Sequence, residues 1–186
     1  FWSTKYGKCV EVHNFGLPAY GPNDILYRLS EDGHPFTKGI KIKKGQAFLL
    51  INSNHIDRVV GSSRIRWWAK YKSYYALNES DQLIFKGKFT DDSSLKNSIY
   101  EKFGSLEIVK RLDLGLPVLG DYHFRSLVKV IESIKLKTKV LFGTDRFTVL
   151  IYPGSKNSKE IVEALKKSEV SFKDFSDICF QDALKG

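Results

Sequence analysis

Hydrophobic and polar positions fall into two textures along the chain. Up to about residue 92, short β-type runs are broken by clusters of Gly, Pro, Asn and Asp. They predict strands at Lys8–His13, Ile25–Leu29, Gln46–Asn52, Arg58–Trp68 and Gln82–Phe89. Between them lie turn signals: Gly16-Leu17-Pro18, Gly21-Pro22-Asn23-Asp24, Glu31-Asp32-Gly33-His34-Pro35 and Lys43-Lys44-Gly45.

The second texture alternates helix and strand. A short helix is predicted over Ser94–Phe103, a strand over Leu106–Leu112 and a stronger helix over Tyr122–Ile134. In that helix Phe124, Leu127, Val128, Ile131 and Ile134 keep one face, with Asp121 as cap. Val140–Phe142 and Arg146–Tyr152 read as strands around the turn Gly143-Thr144-Asp145, and Pro153-Gly154 ends the second. Asn157 and Glu160 have capping-box spacing for a last helix over Ser158–Lys167, after which Val170, Phe172, Phe175, Ile178 and Phe180 are placed to close over the core. No repeat or Ser/Gly-rich linker divides the chain. The pattern therefore predicts one domain over residues 1–186, of α+β class, with a mixed β-sheet or small β-barrel and helices packed around it.

Composition adds a direction to that picture. Of 186 residues, 42% are apolar, enough to bury a core. Lys and Arg number 30 against 21 Asp and Glu, a net charge of +9, so a large partner is expected to be polyanionic, with nucleic acid ahead of an anionic membrane surface. Cys9 and Cys179 have no paired spacing, which argues for a reducing, intracellular setting rather than a disulfide framework. No run approaches a membrane span, and Phe1-Trp2-Ser3-Thr4-Lys5 is no signal peptide, so a soluble cytoplasmic protein is expected, or a nuclear one in a eukaryote. The absence of methionine suggests a domain with further domains beside it in a longer parent chain.

The most unusual stretch is Arg64-Ile65-Arg66-Trp67-Trp68-Ala69-Lys70-Tyr71-Lys72-Ser73-Tyr74-Tyr75, where cations and large rings interleave. Read as extended, it puts Ile65, Trp67, Ala69 and Tyr71 on one face and Arg64, Arg66, Trp68, Lys70 and Lys72 on the other. The second face suits a phosphate backbone with a ring to stack on a base. The bland alternative is that both tryptophans are core and the cations a solvated edge. Lys38 to Gly45, with Lys41, Lys43 and Lys44, is a second basic cluster that lines the same groove or is merely a soluble hairpin arm. Lys135, Lys137 and Lys139 form a third basic cluster after the strong helix, whose bland alternative is to complement the helix C-terminal dipole.

Catalytic readings lack their parts. His13, His34, His55 and His123 are scattered without metal-ligand spacing, no phosphate-cradling Gly loop occurs, and Ser3, Ser62 and Ser63 have no nucleophile context. Asp91-Asp92 and Glu107 lack the compact carboxylate-x-Lys arrangement of a nuclease. No cofactor, metal or enzymatic activity is expected.

Gly45 to Ser53, followed by Arg58 to Ile65, resembles PUA-like readers of the YTH and EVE type, in which a strand, a polar turn and a strand bearing one Gly recur. Phe1-Trp2-Ser3-Thr4 is similar to the stretch that carries one wall of the YTH base cage, and Phe142-Gly143-Thr144, the strand Phe147–Tyr152, Pro153 and the helix from Ser158 resemble the closing elements of the group. The segment Gly16 to Pro22 departs from it. The resemblance implies a non-catalytic module that holds an extruded, methylated base between aromatic walls, with Trp2, Trp67, Trp68 and Tyr71 as cage candidates and Lys and Arg on the phosphates. Such modules occur as RNA readers of methyladenosine and as DNA-recognition domains of McrB-type modification-dependent restriction systems, and the size of the chain and its lack of a disordered flank favour the second, hence DNA over RNA.

A second resemblance points to a different class. Leu83 to Phe89, Leu116-Pro117, the helix from Tyr122 and the strand Phe147–Tyr152 resemble, in that order, a SPOC-type domain that binds phosphorylated peptide tails. A base reader needs exposed rings, whereas a phosphopeptide binder needs cation clusters with its rings buried.

Overall fold

The computed structural model describes residues 11–30, 45–92, 95–112, 114–154 and 156–178. Helix α1 (Pro22–Ser30) precedes strand β1 (Ala47–Ile51) and helix α2 (Asn54–Val60). A single turn, α3 (Arg66–Ala69), leads into the hairpin of β2 (Ser73–Leu77) and β3 (Leu83–Lys88), and a 3-10 turn follows at Phe89–Asp91. Helices α4 (Leu95–Ser105), α5 (Glu107–Arg111) and α6 (Asp121–Phe142) come next. Strand β4 (Phe147–Ile151), helix α7 (Ser158–Lys166) and strand β5 (Ser171–Asp174) complete the order.

The chain is a mixed α+β protein, as expected, but its sheets are open. Strands β1, β4 and β5 form one sheet in that order, with both pairings parallel, and β2 and β3 form a separate antiparallel ribbon. Among the described residues there is no closed barrel. Two parallel strands need a crossover between them, and α7 supplies it for β4 and β5.

The core lies where α6 crosses this sheet. Its Leu127, Val130, Ile131 and Ile134 are buried with Leu49 and Ile51 of β1, Val149 and Ile151 of β4, and Ile161 and Leu165 of α7. Full burial of each such side chain contributes about 1.5–3 kcal/mol. Alternate residues of β1, Phe48 and Leu50, project from the other face and are exposed.

Four predicted strands are helical instead. Ile25–Leu29 lies in α1 because Pro22 pre-sets the first turn and the Asp24 carboxylate accepts the Gly21 N–H at 3.1 Å, while Ile25, Leu26 and Leu29 fit a helical stripe. Arg58–Trp68 divides between α2 and α3. Gly61, at φ 63°, closes α2 with its N–H on the Asp57 carbonyl, so the apolar run does not continue extended. Leu106–Leu112 holds α5, with Arg111 Nε 3.6 Å from Glu107 Oε1 one turn away. Val140–Phe142 is the last turn of α6, which runs on to Gly143 at φ 68°. Residues 11–13 are not a strand, and Lys8 to Val10 lie outside the described residues. The strands near Gln46, Gln82 and Arg146 and the helices near Ser94, Tyr122 and Ser158 stand within a few residues of expectation, α6 excepted.

Helix α1 is tied to its neighbours by two buried side chains. The Asn23 amide donates to the carbonyls of Arg58 (3.4 Å), Val59 (3.2 Å) and Ser73 (3.1 Å), and Asp24 Oδ1 accepts the Ser73 N–H at 3.3 Å. One helix end thereby fixes α2 and the start of β2. At the mouth of α2, buried His55 accepts the Asn52 N–H on Nδ1 at 3.3 Å.

Candidate nucleic-acid interface

The stretch from Arg64 to Lys72 is a loop, one helical turn and the approach to β2, not an extended strand. A helical turn distributes its residues differently. Ile65, Arg66 and Ala69 point inward, whereas Trp67 is 69% and Tyr71 65% exposed. Alternation had placed Trp67 and Tyr71 on the core side and Arg66 on the phosphate side, and the period of the turn reverses both.

Arg66 is 5% exposed, with its guanidinium 4.6 Å from the centre of the Phe89 ring. Burial pulls its pKa below the ordinary arginine range, while Tyr74, Asp92, Glu101 and Tyr100 oppose that shift. It therefore holds α3 against the Phe89 turn and is no surface phosphate contact. Arg66→Met, which keeps the stem and removes the charge, is expected to lower unfolding stability by about 1–3 kcal/mol. The folded variant should retain the wild-type salt slope of oligonucleotide binding, and a flattened slope would restore Arg66 as a contact.

The other candidates stay near the surface. Arg64 is exposed, with Nη1 3.8 Å from Asp57 Oδ1, and its side chain lies over Gly115. Trp68 is half-buried beneath the Arg58 guanidinium, 5.5 Å from the ring centre, which makes it a weaker cage wall than Trp67. Lys70 Nζ sits 5.3 Å from the Tyr71 ring centre. Trp2, Lys41, Lys43 and Lys44 lie outside the described residues.

Beside this turn runs a groove of about 610 Å³ between α1 and the β2–β3 hairpin. Tyr71 and Lys72 reach it from the predicted stretch; Tyr20, Tyr27, Arg28, Phe85 and Lys88, which sequence reading did not single out, complete it. Tyr27 stacks on Phe85 at 5.3 Å, and Phe85 leans on Tyr75 at 5.1 Å, so one wall is a fixed aromatic pair with partly exposed faces. Lys72 Nζ lies 3.9 Å and Arg28 Cζ 4.7 Å from the centre of the Tyr20 ring. Lys72 also stands 4.0 Å from Asp24 Oδ2, a carboxylate already engaged by two backbone N–H groups. Asp91 accepts the Lys88 N–H at 2.7 Å.

Tyr20 is held by its backbone. Ala19 adopts φ 63°, unusual for a residue with a Cβ, and the Arg58 guanidinium takes the Tyr20 carbonyl at 2.5 Å. Arg58 thus links the Trp68 ring to the groove. Its pKa falls with burial, and Asp24 offsets part of that fall.

Comparison with protein-family models, with curated proteins and with solved structures returned no match. Among the described residues no group of His, Cys, Asp and Glu is placed to hold a metal ion, and no helix is long and apolar enough to cross a membrane.

Proposed function

We propose that this protein binds nucleic acid through the surface formed by Trp67, Lys70, Tyr71, Arg64 and the adjoining groove. The observation that carries this reading is a groove in which the partly exposed rings of Tyr27, Tyr71 and Phe85 stand with Arg28, Lys72 and Lys88, next in sequence to exposed Trp67. Cations draw the phosphate backbone and open ring faces stack on bases, a combination suited to single strands or extruded bases. Exposed rings also weigh against a phosphopeptide domain, whose aromatics would be core. The narrower claims, a methylated base, DNA over RNA and a place in a restriction system, rest on the short PUA-like sequence matches. An open parallel sheet lends those matches no support.

Fluorescence anisotropy with short single- and double-stranded DNA and RNA, unmodified and methylated, at two salt concentrations tests the reading. Binding that survives high salt and weakens by about 1–3 kcal/mol in Trp67→Ala supports base stacking. Binding that vanishes with salt and ignores Trp67 would leave only the generic attraction of a +9 chain.

One further observation favours a second reading. Because β1, β4 and β5 are parallel, their carboxyl ends share one edge of the sheet, where Asn52, Tyr152 and Phe175 leave the strands. Ligands of open parallel sheets bind at that edge. A small-molecule-binding α/β unit would show ligand-induced NMR shifts at residues 52–55 and 152–154; shifts confined to Tyr20, Tyr71 and Phe85 would sink this alternative.

A further inference from the structure

The groove is too small for a run of stacked nucleotides and has the volume of a site for one small ligand. Resting on the nucleic-acid reading above, we propose that it is the receptor for a single nucleoside phosphate unit. The planar base lies against the Tyr27, Phe85 and Tyr71 rings, and the phosphate is taken by Lys72 and Lys88. The seat of an extruded base is then this groove, not a cage of tryptophans.

Three features of the groove point to such a ligand. First, Tyr27 and Phe85 are braced by each other and by Tyr75, yet keep exposed faces, so a π-surface is offered without the cost of ordering it. Second, Lys72 is held by a ring face and by a carboxylate at the 4.0 Å limit of an ion pair. A phosphate dianion offers short charge-assisted hydrogen bonds, which are stronger than either contact. Third, both carboxylates that line the groove already accept backbone N–H groups, Asp24 those of Gly21 and Ser73, and Asp91 that of Lys88, so neither depends on the lysines alone. Gly87 lets the Asp91 carboxylate pack against the strand, since a Cβ there would meet it at 2.5 Å.

Isothermal titration of the full chain with AMP, adenosine, inorganic phosphate and trigalacturonate distinguishes the sources of such chemistry. AMP is expected to bind at least about tenfold more tightly than adenosine or phosphate, because only it engages rings and cations together. Lys72→Gln and Lys88→Ala, the latter at an exposed side chain whose loss leaves the backbone bond to Asp91 in place, should each weaken AMP but not adenosine. Tyr71→Ala should weaken both. Phosphate binding as tightly as AMP would overturn the proposal in favour of a plain anion site, and tighter trigalacturonate would replace it with an acidic-carbohydrate site. AMP affinity indifferent to all three substitutions would place the ligand elsewhere. If oligonucleotides bind and AMP does not, this inference fails and the broader function stands; if AMP binds and oligonucleotides do not, the broader function fails.

Discussion

Replacing Gly61 with alanine is expected to destabilise the protein by about 3–5 kcal/mol, combining left-handed strain with overpacking. Gly61 ends α2 at φ 63°, and a Cβ there would stand 2.3 Å from Phe89 Cε1 and 2.7 Å from Arg66 Nη1. The Phe89 ring is buried and Arg66 is packed on it, so neither side chain has room to retreat. Urea unfolding followed by far-ultraviolet circular dichroism reads the loss directly. A change under about 1 kcal/mol would mean that α2 and the Phe89 turn separate readily.

Acid is expected to weaken the fold through His55. The imidazole is buried and uses Nδ1 as an acceptor for the Asn52 N–H, and burial followed by the nearby Arg58 charge pulls its pKa down from 6.5 to about 4. The unfolded chain therefore binds a proton that the folded chain refuses between those two values. Stability contributed by the neutral ring is fully present above pH 6.5 and drains away as pH falls towards 4, by about 3 kcal/mol in all. In His55→Gln, whose side-chain oxygen can accept the same N–H, this part of the pH dependence should disappear, although the variant starts from a lower plateau. Parallel pH profiles for the two proteins would remove His55 as the origin.

Much of the scaffold was legible because long periodic segments declare themselves. The apolar stripe of Phe124 to Ile134 marked α6, and the runs at Ala47–Ile51 and Phe147–Ile151 marked the two longest strands of the sheet. Short apolar runs failed where two periods fit equally well. Ile25, Leu26 and Leu29 serve a helix or a strand, and only the Pro22 and Asp24 start signals, read here as a turn, separate them. The strand β2 was hidden inside the aromatic stretch, whose first half turns once as α3 before it extends. Parallel pairing of β1 with β4 joins residues 100 apart, beyond the reach of any local pattern.

The candidate site was legible by half. Interleaved rings and cations drew attention to a segment whose Tyr71 and Lys72 line the groove, yet the wrong period put buried Arg66 on the phosphate face and exposed Trp67 on the core face. Tyr20, Tyr27 and Phe85 carried no signal of their own, since each is an ordinary aromatic until α1 and the hairpin bring them together. The clamp of Asn23 and Asp24 on Ser73 helps to fix that meeting, and a buried Asn beside a buried Asp is visible only after folding.

The left-handed Ala19 gives the groove a stored preference. An alanine in that conformation costs about 1–2 kcal/mol, which the Arg58 grip on the next carbonyl helps to offset. Tyr20 thus rests on a latch whose release is downhill for its own backbone. Loosening Arg58 would let the ring swing away from Lys72, and Ala19→Gly, by removing the tension, would keep the ring home even with the latch weakened.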